Sequence, residues 1–288
     1  MSIGKPESWE NAVRSLLESP DQQQIVRDCY YDQPNIVAAR RYEASEEWSA
    51  VRSLLPAAAR SVVDVGSGHG ITAFALACAG LDVTGVEPNP SALVGRAAIA
   101  SLASESGLPI RVAQGTAESI PAPDASFELA VARQVLHHTR DIYAACREIH
   151  RVLKPGATFI ALRDHVVSSP SDLPRFFDSH PLHRRYCGEN AFRLSEYLGA
   201  LRDAGFVIVD VLRAFDSVIN YAPHTRETLR SAFISLAGHV PLGRKVFGAL
   251  LKSDLIFDGC IAAASRLDHR PGRLVSIICR RPADTNDG

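Results

Sequence analysis

The sequence predicts an α/β fold in which an open sheet carries helices on both faces and helical additions flank it. Three observations carry that expectation. Short β-branched runs alternate with longer helical stretches from Ser61 to Phe215. One of these runs, Val62 to Val65, passes directly into the turn Gly66-Ser67-Gly68-His69-Gly70. Finally, 46% hydrophobic against 22% charged residues over 288 positions leaves enough apolar material for a core of that size.

The first strand is Ser61 to Val65, followed by a helix from about His69 to Ala79. A second strand spans Asp82 to Val86, a helical stretch runs from Pro90 to Ser104, and a third strand is Ile110 to Ala113. Phe127 to Ala132 is the fourth. From Asp141 to Leu153 the apolar residues Ile142, Ala145, Ile149 and Val152 fall on a helical period, which Lys154-Pro155-Gly156 stops. Thr158 to Leu162 is the fifth strand, Leu194 to Ala204 a helix closed by Gly205, Phe206 to Leu212 a sixth strand, and Leu274 to Cys279 the last.

Two segments stand outside that alternation. Residues 1–60 are polar and helical in pattern, with Trp9, Tyr30, Tyr31, Tyr42 and Trp48, and are expected to form an N-terminal helical cap. Residues 216–270 show helical spacing from Thr225 to Leu236 and from Gly243 to Ile256, too long for a bare loop. A helical insertion or lid is expected there, with a homodimer as one way to cover its apolar faces, which include Phe233, Ile234, Leu236, Val246, Phe247, Leu250, Leu251, Ile256 and Phe257. The core is then 61–215, and 271–288 supplies its last strand and a tail. No internal repeat interrupts this plan.

Charge narrows the function. Lys+Arg of 31 against Asp+Glu of 32 gives a net charge of -1, without the positive bias that a phosphate backbone attracts, so no nucleic-acid partner is expected. No apolar run approaches a membrane span, and the first residues have no signal-peptide core, which reads as cytoplasmic. The six cysteines are scattered without a close pair, as reduced thiols would be.

The glycine turn carries the chemistry. Glycines between a strand and a helix let the backbone approach a ligand and aim helix N-terminal amides at its negative end. Glu87 ends the second strand, where a carboxylate can accept both hydroxyls of a ribose. A dinucleotide fingerprint places glycines at its first, third and sixth positions, whereas Gly66, Gly68 and Gly70 occupy the first, third and fifth.

This arrangement resembles the class I, seven-stranded S-adenosylmethionine-dependent methyltransferases, particularly their small-molecule "type 11" branch. Three further segments share the resemblance in order: Gly115 to Pro121 with Asp124 to Glu128, Val135-Leu136-His137-His138, and Arg151 to Gly156. It implies a Rossmann-like open mixed sheet of seven strands whose last strand is antiparallel and inserted beside the fifth. It also implies S-adenosyl-L-methionine as cofactor, with S-adenosyl-L-homocysteine as product. The cofactor contacts it implies are Asp64, Gly66, Ser67, Gly68, Gly70, Glu87, Pro88, Thr116, Ala117 and Arg133. Thr116 stands where the family commonly has an Asp, and Glu128 where it has another Asp. The resemblance fades after Phe215.

The fourth and fifth strands end where open α/β sheets bind ligands, so His137, His138, Asp164 and His165 are candidates for acceptor contact. In the resembling phosphobase N-methyltransferases a histidine matching His138 sits at the methyl acceptor, which makes His138 the first choice of catalytic base and His165 the second. Tyr30 and Tyr31 are candidate substrate contacts, either through a ring beside a cationic group or simply as packing residues. The loop from Ser168 to Asn190 adds Arg175, His180, His183, Arg184, Arg185 and Tyr186, of which His183, Arg184 and Tyr186 are assigned to the substrate. His180, His183 and Asp164 could ligate a metal, but their spacing is loose and a solvated basic loop is the commoner case, so no metal is expected.

The reading is therefore methyl transfer to a small molecule, through a hydroxyl or amine rather than a carbon. The rivals are a methyltransferase-like binder without that activity, a nicotinamide-dependent oxidoreductase, and a nucleic-acid methyltransferase. The last resembles its class in an Asn/Asp-Pro-Pro-aromatic motif, where this chain has Arg133-Gln134-Val135-Leu136.

Overall fold

Strands buried on both faces need apolar residues throughout, and the β-branched runs supply them. A computed structural model describes residues 7–186, 189–237 and 243–284. Four helices lead in: α1 (Trp9–Glu18), α2 (Gln23–Asp28), α3 (Asn35–Glu43) and α4 (Glu46–Ser53). The alternation follows as β1 (Ser61–Val65), α5 (Ile71–Cys78), β2 (Asp82–Val86), α6 (Arg96–Ser106), β3 (Ile110–Ala113), β4 (Phe127–Arg133), α7 (Ile142–Val152) and β5 (Leu153–Val167). Then come α8 (Leu173–Asp178), α9 (Pro181–Arg185), β6 (Phe192–Arg193), α10 (Leu194–Asp203) and β7 (Val207–Leu212). The helices α11 (Val218–Tyr221), α12 (Arg226–Ala237), α13 (Gly243–Leu250) and α14 (Asp254–Leu267) precede β8 (Arg273–Arg280).

The strand order is β3-β2-β1-β4-β5-β8-β7. β8 lies antiparallel between β5 and β7, as the resemblance implies, and the pairs β1·β2, β1·β4, β2·β3 and β4·β5 are parallel. The sheet has one strand more than expected. β5 continues past the end of β4, whose last pair is Arg133 with Leu162, and β6 pairs with that extension at Val166 and Val167. Two residues are too short a run for any periodicity to announce.

Alternation along each strand divides the core into two layers. Val63, Val65, Ala130, Ala132, Phe159 and Ala161 face the layer built with α7 and α10. Val62, Leu129, Val131, Ile160 and Leu162 face the layer of α3 to α6, where Tyr42, Trp48, Phe74 and Ile99 are buried. The first helices are thus of two kinds. α3 and α4 belong to the main core, while α1 and α2 form a smaller apolar group in which Val13, Leu16 and Val26 meet Tyr31, Val94 and Leu182.

The helices between β7 and β8 carry a core of their own, with Leu229, Leu251, Phe257 and Ile261 buried beside Phe233 and Ile234. Their covering is incomplete. Phe247, Leu250 and Ile256 are exposed, and Leu236 and Leu255 are 72% and 84% exposed. The side chain of Val246 lies outside the described residues.

A buried ion group joins the parts. Arg133 donates from Nε to Glu47 Oε1 of α4 at 2.9 Å, and Arg163 Nη1 stands 3.7 Å from Glu47 Oε2. Arg163 also donates to the carbonyls of Ile219 and Ala222, next to α11, at 2.5 and 3.0 Å. Removing one member of such a group leaves uncompensated buried charge. Glu47→Ala is expected to cost roughly 3–5 kcal/mol, read as a lowered urea midpoint with an unchanged denaturant slope.

Candidate active site

The turn after β1 is closed by its own backbone. Gly66 N and Ser67 N donate to Val86 O at 2.8 and 3.1 Å, Gly70 N donates to Ser67 O, and the Ser67 hydroxyl donates to Asp64 O. Gly66 has φ +64, and a Cβ there would stand 2.7 Å from Val135 Cγ2, so the sequence has no freedom at this position. Gly68 N donates to Glu87 Oε2 and Asn89 N to Glu87 Oε1, both at 2.9 Å. The carboxylate of β2 is thereby fixed against the turn of β1. Arg96 donates to the carbonyls of Glu87 and Pro88, which sets the chain beyond that acid.

Asp64 is buried within β1, and among the described residues its Oδ2 has no hydrogen-bond partner. Burial pushes its carboxyl up to about 7, and the nearby Glu87 charge adds to the rise. Glu87 is raised as well, first by burial. Two acids therefore stand beside a turn whose amides are internally satisfied, and their carboxyl oxygens can accept from hydroxyl and cationic donors.

The loop from Gly115 to Asp124 is pinned from below. Thr116 and Ser119 exchange backbone hydrogen bonds at 3.1 Å, and Ile120 N donates to Glu148 of α7. Arg151 donates to the carbonyls of Ile120 and Ala122 and pairs with Asp124 and Glu148. Thr116 is exposed and Ala117 buried, beside the glycine turn's neighbour β2 across Gly115, where a Cβ would meet Val86 at 3.0 Å.

The two tyrosines part company. Tyr31 lies 4.9 Å from the His69 ring and 6.2 Å from Trp9, above the glycine turn. Tyr30 turns into the core against Tyr42 and under the guanidinium groups of Arg41 and Arg133. Its carbonyl accepts from His69 Nε2 at 2.9 Å, and burial lowers His69 to about 4, so that imidazole is neutral. Arg133 gives its guanidinium to Glu47 and to the Tyr30 and Tyr42 rings, and its charge still reaches Asp64 and His69 at the turn.

His138, on the 3-10 turn Leu136–His138, is partly exposed at 32% of its side chain. Its ring is 6.3 Å from Trp9 and 6.1 Å from Tyr186, which with α1 form the rim. His137 is buried, with its ring 4.1 Å from that of His138. Its Nδ1 lies 2.8 Å from Asp164 Oδ1, which also accepts from His137 N, and its Nε2 lies 3.5 Å from Glu189 Oε1. Burial opposes a charge on His137, but Asp164 and Glu189 outweigh it and hold the imidazole up to about 9. His165 sits below, with rings 4.8 Å from His137 and 5.1 Å from His183; its Nδ1 donates to Gly272 O at 2.8 Å. Burial and the neighbouring imidazoles lower His165 well below the usual range.

The structure thus brings together Asp64, Gly66, Ser67, Gly68, Gly70 and Glu87 at the turn, and His137, Asp164, His165 and His183 in a second group. Tyr186 and His138 share the rim. Arg184 belongs to α9, and its side chain lies outside the described residues. Sequence reasoning misses Glu189, which contacts three of the histidines. No spacing marks it, since only burial separates it from its polar neighbours.

Residues 63–161 match the family model described as a methyltransferase domain. The chain is 39% identical over 121 residues to the uncharacterized methyltransferase YcgJ of Bacillus subtilis (strain 168), a match covering 40% of this chain and 44% of that one. The chain therefore spans less than half the length of that curated relative. Among solved structures, the [4+2]-cyclase SpnF is similar with a TM-score of 0.56 and 23% identity, covering 85% of this chain and 81% of that one. Geranyl diphosphate C-methyltransferase from Streptomyces coelicolor A3(2), solved with Mg2+, geranyl diphosphate and S-adenosyl-L-homocysteine, has a TM-score of 0.56 and 16% identity, covering 93% and 87%. These likenesses show the fold.

A raised acid favours the protonated folded state, so the stability it contributes is present near its unfolded pKa and is lost as pH rises through about 7. Asn imitates the protonated acid. Asp64→Asn is expected to match the parent in urea midpoint near pH 3.8, to exceed it increasingly as pH rises to about 7, and to keep a constant advantage above that. A constant difference across the series would show that Asp64 does not titrate in this range.

Proposed function

We propose that this chain, whose residues 63–161 carry a class I S-adenosylmethionine-dependent methyltransferase domain, transfers a methyl group to a small-molecule acceptor through its hydroxyl or amine. The observation that carries the reading is the pairing of the Gly66 to Gly70 turn with Glu87, beside a buried Asp64 oxygen that lacks a donor among the described residues. The residues suit the cofactor. Each Glu87 oxygen accepts one backbone amide and has lone pairs left for ribose hydroxyls, Gly66 leaves the backbone bare, and Asp64 Oδ2 can take an ammonium proton. Thr116 and Ala117 would border the adenine.

When bound, the cofactor supplies an already activated methyl group. The chain's own part is alignment and exclusion of water, and orientation of this kind can contribute roughly 7–11 kcal/mol. Trp9, Tyr31 and Tyr186 close the side of the site away from the sheet. His138 stands at their edge, where it can take a proton from the acceptor. His165, deeper and tied to Gly272 O, is the poorer base.

The division of labour belongs to the same proposal: 1–60 as cap, 61–215 as core, 216–270 as insertion and 271–288 as closing strand and tail. So does a homodimer that covers Leu236, Leu255 and Ile256, without nucleic acid as a partner. No helix among the described residues is long and apolar enough to cross a membrane.

Glu87→Ala is expected to abolish binding of S-adenosyl-L-homocysteine in calorimetry; unchanged binding would place the cofactor elsewhere. His138→Ala should retain that binding and lower turnover roughly 100- to 10,000-fold, with loss of the rising limb of the pH profile. A profile that keeps the same inflection would remove His138 from the role. Binding without methylation of any metabolite in a cell extract would favour the non-methylating rival.

A further inference from the structure

The group of histidines behind His138 is larger than methyl transfer requires. One ligand atom each from His137, His165 and Glu189 lies within 4.8 Å of the others. His183 Nε2 stands 3.5 Å from Glu189 Oε1, the same separation as His137 Nε2. That spacing is long for a strong hydrogen bond, but it suits two ligands of one ion. Ligand atoms about 2.0–2.1 Å from a tetrahedral metal stand about 3.4 Å apart.

The imidazoles are also set in the orientation a metal needs. His137 Nδ1 is held by Asp164 and His165 Nδ1 by Gly272 O, both at 2.8 Å, and His183 Nδ1 faces Phe176 O at 3.5 Å. On binding an ion His137 would release its Nε2 proton to solvent; with the remaining proton of each ring on Nδ1, every Nε2 would then present a lone pair. Backbone carbonyls and carboxylates fix ligating histidines in this way in known sites. A second observation concerns the acid: among the described residues Glu189 Oε2 has no hydrogen-bond partner, with His138 Nδ1 3.9 Å away, on a residue only 7% exposed.

We propose that His137, His165, His183 and Glu189 form a site for one divalent transition metal of the zinc class. Three imidazoles and one carboxylate select such an ion over magnesium, which prefers an all-oxygen shell. The site departs from the metal-free loop expected from sequence, where the looser trio of His180, His183 and Asp164 was the only option in view. Asp164 instead serves as the carboxylate behind His137. The ion would fasten the segment of α8 and α9 to the ends of β4 and β5, directly behind the rim that carries His138. The inference does not depend on the methyl acceptor.

The probe is Co2+ added to the full chain after chelator treatment and exchange into metal-free buffer. One equivalent is expected to bind with visible ligand-field bands, to be displaced by Zn2+, and to raise the melting temperature. Glu189→Gln and His183→Gln should each weaken Co2+ at least tenfold and lose the thermal shift. Asp164→Asn should weaken it about 10- to 100-fold. His183 is on the short helix α9 and is more exposed than Glu189, 11% against 2% of the side chain, so its variant tests the site even if Glu189→Gln folds poorly. Absence of bands at one equivalent, or bands and affinity that persist unchanged in His183→Gln and Glu189→Gln, would overturn the assignment.

Discussion

One buried carboxylate, Glu47, sets the relation between the lead-in helices, the sheet and the helices before the last strand. It receives Arg133 from the end of β4 and faces Arg163 from the bulge of β5, and Arg163 in turn holds the carbonyls beside α11. Each arginine is nearly inaccessible, so without that acid its charge would be buried uncompensated. The ring faces of Tyr30 and Tyr42 complete the surroundings. The chain after Tyr30 is drawn down by this group, which leaves Tyr31 and His69 over the glycine turn. The shape of the site's roof thus follows from a contact made outside it.

The same group explains one limit of reading the sequence. Arg133 ends the fourth strand, where the resemblance implies a cofactor contact, and nothing in the sequence announces its buried ion pair. Its partner is 86 residues earlier, in a helix whose polar pattern gives no hint of a buried acid. Glu189 is hidden for a similar reason, since it meets His137 only after α8 and α9 have carried the chain back over the sheet. What is legible in the sequence is local: the turn from Gly66 to Gly70, Glu87 at a strand end, and Asp141 capping α7 through the amides of Tyr143 and Ala144. The strands were visible for the same reason, because burial on both faces writes itself as an unbroken apolar run. β6 had two residues and no such run.

Neighbouring residues divide the chemistry of the crevice. Tyr30 and Tyr31, and His137 and His138, are adjacent in sequence; both tyrosines are buried but in different clusters, whereas of the histidines His137 is interior and His138 reaches the rim. Local turns enforce the split: Tyr30 has φ 59, and His138 lies on a 3-10 turn after Gln134, which has φ 57. His137 supports the histidine group while His138 is presented at the rim. Interior and rim are therefore coupled through one or two peptide units.

The short pairing of β6 with β5 has an evolutionary side. Val167 and Phe192 begin and end a crossover whose two feet stand on neighbouring positions of one ladder. The closure cost of such a loop grows by only about 0.6 kcal/mol for each doubling of its length. Insertions, deletions and exchanges between the feet leave the sheet's register untouched. The segment between the feet can therefore change in length while the strands that carry the Gly66 to Gly70 turn and Glu87 keep their pairing.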